Sequence, residues 1–229
     1  MLRIELIQHY GTDQTVCDSA RVSTLNHKKE STPEKDKRLL RFLWKHGHTS
    51  PFEHIGATFL IDAPIFITRQ VMRHRTFSYN EISRRYTEKD IEFYHPGKLF
   101  QQSSVNLQTS TEIPVEDKGD VLLKTMKQHS LEALDLYNHL LSQGVSREQA
   151  RIILPQNLMT SFYMSGNLNN WLKFIKLRVN KDVQHELIYI ADIILGKLKT
   201  LYPLSTDLFY INNYTQFEDA RNRIKGFIQ

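Results

Sequence analysis

Residues 70 to 86 read Gln70-Val71-Met72-Arg73-His74-Arg75-Thr76-Phe77-Ser78-Tyr79-Asn80-Glu81-Ile82-Ser83-Arg84-Arg85-Tyr86. Guanidinium forks bind phosphates or the electron-rich edge of a ring through paired donors. Arg73, His74 and Arg75 cannot all turn inward without an anion to neutralise them. At a helix end followed by a loop they fan out, so Arg73 and Arg75 can serve two different anions. Asn80, Glu81 and Ser83 add acceptors and donors that suit an amide-containing ring. The stretch therefore suits two polar ligands held side by side. A solvated charge cluster on a basic protein fits the same residues, and the residue types alone leave both readings open.

The elements that position this stretch can be read from periodicity and capping. Arg3-Ile4-Glu5-Leu6-Ile7 alternates as a first strand. Ser31-Thr32-Pro33-Glu34 opens a helix as a capping box with an early proline. That helix runs through Leu39, Leu40, Phe42, Leu43 and Trp44 and stops at Gly47. Ile55 to Asp62 reads as a strand with Ala57, Phe59 and Ile61 on one face, and Pro64 starts a helix from Ile65 to about Arg73. Thr76 to Ser83 reads as loop, and Ile91 to Tyr94 as a short strand before Pro96-Gly97. The polar, aperiodic segment Gln101 to Lys118 reads as a surface excursion. Helices are expected from Val121 to Leu141, after a second capping box at Ser146-Arg147-Glu148-Gln149, from Asn170 to Val179 and from Val183 to Leu201. The sum is one α+β domain over residues 1–229, helix-dominated with a small antiparallel sheet.

Bulk composition narrows the class. With 229 residues, 40% hydrophobic and 24% charged, the chain can bury a real core. Neither a membrane-spanning run nor a signal peptide is expected. A single cysteine, Cys17, excludes an intrachain disulfide and fits a reducing, cytoplasmic setting; it reads as a buried small hydrophobe. The net charge of +5 favours nucleic acid, anionic surfaces or phosphorylated ligands without choosing among them. The run from Lys28-Lys29 to Lys45 mixes bases with Glu30, Glu34 and Asp36 and reads as a solvated helix face. Arg69, Arg73, His74, Arg75, Arg84 and Arg85 form the densest unbalanced patch, which suggests a pocket for anions. His46, His48, Glu53 and His54 are metal-ligand types, but no second cluster completes a set, so no metal is expected.

Arg73-His74-Arg75, seven residues, then Ser83 resembles the signature of flavin-dependent thymidylate synthases. Asn80-Glu81 and Arg85-Tyr86 continue the match. So do Ala20-Arg21-Val22-Ser23, the segment Lys45 to His54, Ala63-Pro64-Ile65-Phe66, Gln70, Ala150-Arg151 to Pro155, Leu177-Arg178, Gln184 and Glu186. Separated matches in one order over about residues 15 to 200 are far more specific than one motif.

The resemblance implies a homotetramer that converts dUMP to dTMP. Methylenetetrahydrofolate is the implied one-carbon donor, and FAD, reduced by NADPH, the implied hydride source. It places Ser50, Arg73, His74, Arg75, Glu81, Asn167, Asn169, Ser23, His48 and Glu53 at the flavin. It places Gln70, Arg73, Glu81, Ser83, Arg84 and Arg85 around dUMP, with Arg151 and Arg178 completing that site from another subunit. Arg178 would stabilise charge developing on the uracil. Ser83, tempting as a nucleophile, would instead position dUMP, and Cys17 is not needed. The pattern departs at Asn169, where Arg is common, at Lys173 in place of Asn, and at Asp182 in place of His. The excursion at Gln101–Lys118 has no clear counterpart. A nucleic-acid-binding module and a ligand-free helical oligomer are the competing readings. The first requires steeply salt-dependent binding and no chromophore, the second a colourless protein without an arginine-lined pocket.

Overall fold

Alternation of apolar side chains builds the sheet. In a computed structural model, which describes residues 1–24, 31–116 and 118–225, strand β1 spans Arg3–Tyr10. It is followed by α1 (Asp13–Val22) and α2 (Pro33–Lys45). Lys28, Lys29 and Glu30 of the mixed-charge run lie outside the described residues. Thr32, not Ser31, is the cap of α2, and its side chain accepts from the Lys35 amide at 3.4 Å. Ser31 instead donates to Asp36 at 2.8 Å. Gly47 follows α2 with φ +67, a left-handed conformation that glycine adopts without a Cβ penalty.

Strand β2 (Gly56–Pro64) buries Ala57, Phe59 and Ile61 on one face, as the alternation predicts. Pro64 precedes α3 (Ile65–Val71). The expected loop at Thr76–Ser83 contains strand β3 (Ser78–Glu81). Its polar sequence gives little strand signal of its own, and pairing with a later strand makes it one. Ile91–Tyr94 forms no strand beyond a single bridge from Phe93 to Leu158. The polar excursion carries a small hairpin, β4 (Phe100–Gln102) with β5 (Ser110–Pro114); position 117 within the excursion lies outside the described residues.

Helix α4 (Gly119–Ser142) is followed by the short α5 (Arg147–Ala150) and a 3₁₀ turn at Arg151–Ile153. The second capping box does not form, since the Ser146 side chain makes no cap hydrogen bond. Strand β6 (Met159–Asn167), which the periodicity did not reveal, leads into α6 (Leu168–Arg178). Then come α7 (His185–Leu201), α8 (Pro203–Asn212) and α9 (Tyr214–Ile224).

The sheet order is β1-β2-β6-β3, with every neighbouring pair antiparallel. Strand β6 pairs with β2 on one side and β3 on the other, so it carries the site stretch into the sheet. The buried face of the sheet lies under α6 and α7. Phe59 meets Trp171 edge-on at 5.0 Å, and the Trp171 indole donates to the Ala57 carbonyl at 3.1 Å. That bond satisfies a buried N–H that would otherwise cost about 1–3 kcal/mol. Cys17 is fully buried, and burial pushes its thiol up to about 12, so it packs as a hydrophobe.

Candidate active site

Helix α3 ends just before the arginine pair. Arg73, His74 and Arg75 occupy the turn between α3 and β3, with both arginines exposed and His74 half-buried. Tyr79 holds this turn closed from β3. Its hydroxyl lies 2.8 Å from the His74 carbonyl and 3.2 Å from that of Val71. Burial pushes the Tyr79 hydroxyl up to about 12, so it stays a donor. Beneath the turn, Phe77 packs on Trp171 at 4.6 Å and Phe174 meets the His74 ring at 4.9 Å. Burial, with the positive charge of Arg178 second, pushes His74 down to about 4. The imidazole is therefore neutral at pH 7 and presents a ring rather than a charge.

The sequence-selected residues fall into three groups. In the first, Arg178 donates to the Gln70 carbonyl at 2.9 Å and lies over the Phe174 ring, 5.6 Å from its centroid. Its Nε is buried without a partner, and burial pulls its pKa down. Gln70 also donates to Gln184 at 2.7 Å.

In the second group, Glu81, Ser83, Arg84 and Arg151 line one cleft of about 1190 Å³ together with Thr68, Arg69, Ser146, Glu148 and Thr160. Thr160 donates to Glu81 at 2.7 Å, fixing that carboxylate from β6. Arg84 is 9% exposed, and its terminal nitrogens donate to the carbonyls of Lys89 and Asp90, the latter at 3.0 Å. Much of its donor capacity thus clamps the loop after β3, while its Nε remains buried and unpartnered. Arg85 is exposed, and its amide donates to Ser83 Oγ at 3.3 Å. Arg151 shares this cleft with Ser83 within one chain, whereas Arg178 is not among its lining residues.

The third group surrounds the start of α6. Asn167 caps the helix by accepting from the Asn170 amide at 2.9 Å, and Asn170 reaches the Thr76 carbonyl at 3.2 Å. Buried Asn169 donates to Glu53 at 2.8 Å, and Glu53 belongs to the same 3₁₀ turn as Ser50. Ser23 and His48 stand apart. The Ser23 hydroxyl donates to the Ala20 carbonyl at 2.8 Å, and exposed His48 sits 5.8 Å from Phe42 and 6.2 Å from His46, ring to ring. Among the described residues no hydrogen bond joins either of them to the other groups. No three His, Cys, Asp or Glu side chains among the described residues converge as metal ligands.

Arg73, Arg75, Arg84, Arg85, Arg151 and Arg178 make no ion pair with a carboxylate among the described residues, although Arg21, Arg147, Arg221 and Arg223 do. Arg84 and Arg151 of these line the cleft, and uncompensated cations there suit anionic ligands. Sequence reasoning did not find Thr160 or Phe174: Phe174 carried only a core signal, and Thr160 lies on the strand that was not read. The part Tyr79 plays in holding the turn was not legible either.

The model of the family described as "Thymidylate synthase complementing protein" matches residues 5–204. A flavin-dependent thymidylate synthase of Thermus thermophilus is 39% identical over 206 residues, spanning 90% of this chain and 74% of that protein. That of Kosmotoga olearia is 36% identical over 212 residues, 93% and 91% of the two chains. The chain belongs to the flavin-dependent thymidylate synthase family. As a member of it, the chain is a methyltransferase. Among solved structures it resembles a UMP/dUMP methylase, PolB, from Streptomyces cacaoi bound with 5-Br dUMP. The TM-score is 0.84 at 30% identity, covering 92% of this chain and 95% of the other. The matched residues 5–204 include the turn that Tyr79 closes and the sheet and α6 that support it.

Proposed function

We propose that this family member converts dUMP to dTMP, taking the one-carbon unit from methylenetetrahydrofolate and using FAD reduced by NADPH. The observation that carries the reading is Arg178, a half-buried guanidinium with an unpartnered Nε and, among the described residues, no carboxylate, beside a neutral imidazole. A buried cation without a counter-charge is costly unless a ligand supplies one. The solved relative that binds 5-Br dUMP supports a pyrimidine nucleotide as that ligand.

The residues fit a flavin dinucleotide. Among the described residues Arg73 and Arg75 have no carboxylate partner, and the capped N-terminus of α6 lies against the same turn through Asn170 and Thr76. Arg73, His74, Arg75, Ser50, Asn167 and Asn169 would hold it, with Ser23, His48 and Glu53 at its edges. When bound, FAD supplies the redox chemistry that completes the methyl group. The chain's own residues bind and polarise. Ser83 and Arg85 offer donors to the nucleotide phosphate. Glu81, fixed by Thr160, offers an acceptor, and Gln70 and Arg84 border the nucleotide. Arg178 stabilises negative charge that develops on the pyrimidine. Ser83 acts by positioning, since among the described residues no base is hydrogen-bonded to its hydroxyl.

Arg151 lines the cleft with Ser83 whereas Arg178 does not, which supports an active site completed by a second copy. Helix α4 exposes Val121, Leu122, Met126, Leu131 and Leu136, apolar side chains spread around the helix whose burial a homotetramer would favour. No helix among the described residues is long and apolar enough to cross a membrane. The reading takes the enzyme to act in the cytoplasm on small molecules, without nucleic acid. The first test is the visible spectrum of the purified protein with FAD, followed by dUMP titration. Flavin absorbance that elutes with a tetramer and shifts on adding dUMP is expected. Protein that stays colourless and ignores both ligands sinks the reading.

A further inference from the structure

The connection between α6 and α7 grips one residue of α3 from two directions. Arg178, the last residue of α6, donates from Nη2 to the Gln70 carbonyl at 2.9 Å. Gln184, the residue before α7, accepts from Gln70 Nε2 at 2.7 Å. Gln70 sits near the C-terminus of α3, where helix carbonyls run out of intrahelical donors. Among the described residues, the bond to Gln70 is the single hydrogen bond that the Arg178 guanidinium makes. Among the described residues no carboxylate steers that guanidinium, so its direction is set by the Phe174 ring it lies over and by Gln70 staying in place.

Gln184 is anchored well enough to hold it. Its backbone carbonyl accepts from the amides of Leu187 and Ile188 at 3.0 and 3.2 Å. The ring of the next residue, His185, stacks on Phe100 of the hairpin at 4.9 Å. Its own side chain is exposed, so it contributes little to the core.

We propose that Gln184 is a positioning residue for nucleotide binding: it holds the Gln70 amide and so fixes the carbonyl on which Arg178 is seated. This rests on the reading that Arg178 contacts the nucleotide. One lost hydrogen bond corresponds to about a 2- to 10-fold change in an equilibrium constant.

The test uses the full-length, FAD-loaded protein, with dUMP affinity read by calorimetry and kcat and KM measured separately. Gln184→Leu should weaken dUMP binding by about 2- to 10-fold and raise KM for dUMP similarly, leaving FAD affinity and thermal unfolding unchanged. Gln184→Glu keeps an acceptor at the same reach and should restore binding to within about twofold. Added to Arg178→Ala, Gln184→Leu should have a smaller effect than it has alone, because both act through Gln70. Two results overturn the proposal while leaving the nucleotide reading standing. One is unchanged dUMP affinity in Gln184→Leu when Arg178→Ala abolishes it; the other is an equal loss of FAD and dUMP affinity, which marks a merely structural role. Unchanged dUMP affinity in Arg178→Ala instead overturns the placement of Arg178 at the nucleotide, and the proposal falls with it.

Discussion

The neutral state of His74 gives a pH signature that can be isolated by substitution. Burial, reinforced by the nearby Arg178 charge, lowers its pKa from 6.5 to about 4. In the unfolded chain the imidazole takes up its proton near pH 6.5; in the fold it waits until about pH 4. Between those values the unfolded state binds more protons, so stability falls as pH falls. The contribution is fully present above about pH 6.5, declines to about pH 4, and is flat below that. Taken in full, such a shift is worth about 3 kcal/mol, and water over the exposed half of the ring screens it to about 1–2 kcal/mol. The assay is denaturant unfolding of the parent and His74→Gln from pH 7.5 to 4, reading the difference so that the other histidines cancel. The parent should lose about 1–2 kcal/mol relative to the variant across that window. Replacing Arg178 with Met should move the His74 ring resonance titration upward, because the removed cation lowers the pKa. A ring that titrates near 6.5 in the folded protein, or a stability difference that stays constant with pH, refutes the argument.

Other consequences follow from single contacts. Gly166→Ala would place a Cβ 2.4 Å from two ring carbons of Phe77, which underlies the His74 turn. Overpacking there should cost about 1–3 kcal/mol in denaturant unfolding and weaken FAD binding. Thr160→Val removes the 2.7 Å hydrogen bond that fixes Glu81, and dUMP affinity by calorimetry should fall about 2- to 10-fold with the fold intact. Asp13 caps α8 by accepting from the Leu204 and Ser205 amides at 2.8 and 3.1 Å. Asp13→Ala should lower stability by about 1–2 kcal/mol and leave dUMP affinity unchanged, and a change in affinity would show coupling the contacts do not explain.

The sequence was most legible where one residue type does one job. Ala57, Phe59 and Ile61 announce β2, the Thr32-Pro33 pair announces α2, and Gly47 ends it. Strand β6 was missed because Thr160, Ser161, Ser165 and Gly166 interrupt its apolar positions. It has neighbours on both sides, so pairing rather than composition makes it a strand. Missing it hid β3 as well, since β3 pairs along β6. The site followed the same division. The arginine pair, Glu81 and Ser83 stood out as chemistry. What holds them did not: Tyr79 reads as an ordinary aromatic until its hydroxyl is seen against two carbonyls. Arg84 looked like a ligand contact, and the carbonyls of Lys89 and Asp90 each take a bond from its terminal nitrogens for reasons no spacing reveals.

The departures from the family pattern become coherent once their partners are known. Asn169, where an arginine is common, is buried against Glu53, so the smaller amide and the carboxylate satisfy each other without an extra cation. Asp182, where a histidine is often seen, accepts from Asn106 at 3.1 Å, and Asn106 lies between β4 and β5. The same hairpin reaches Arg223 through Glu112 at 3.4 Å. The segment without a clear family counterpart and the altered residue at 182 are thus two halves of one contact. That contact leans on the same connection that carries Arg178 and Gln184. On the proposed reading the hairpin would support the nucleotide side and the substitution at 169 the flavin side, so exchanging each for the family residue should perturb different ligands.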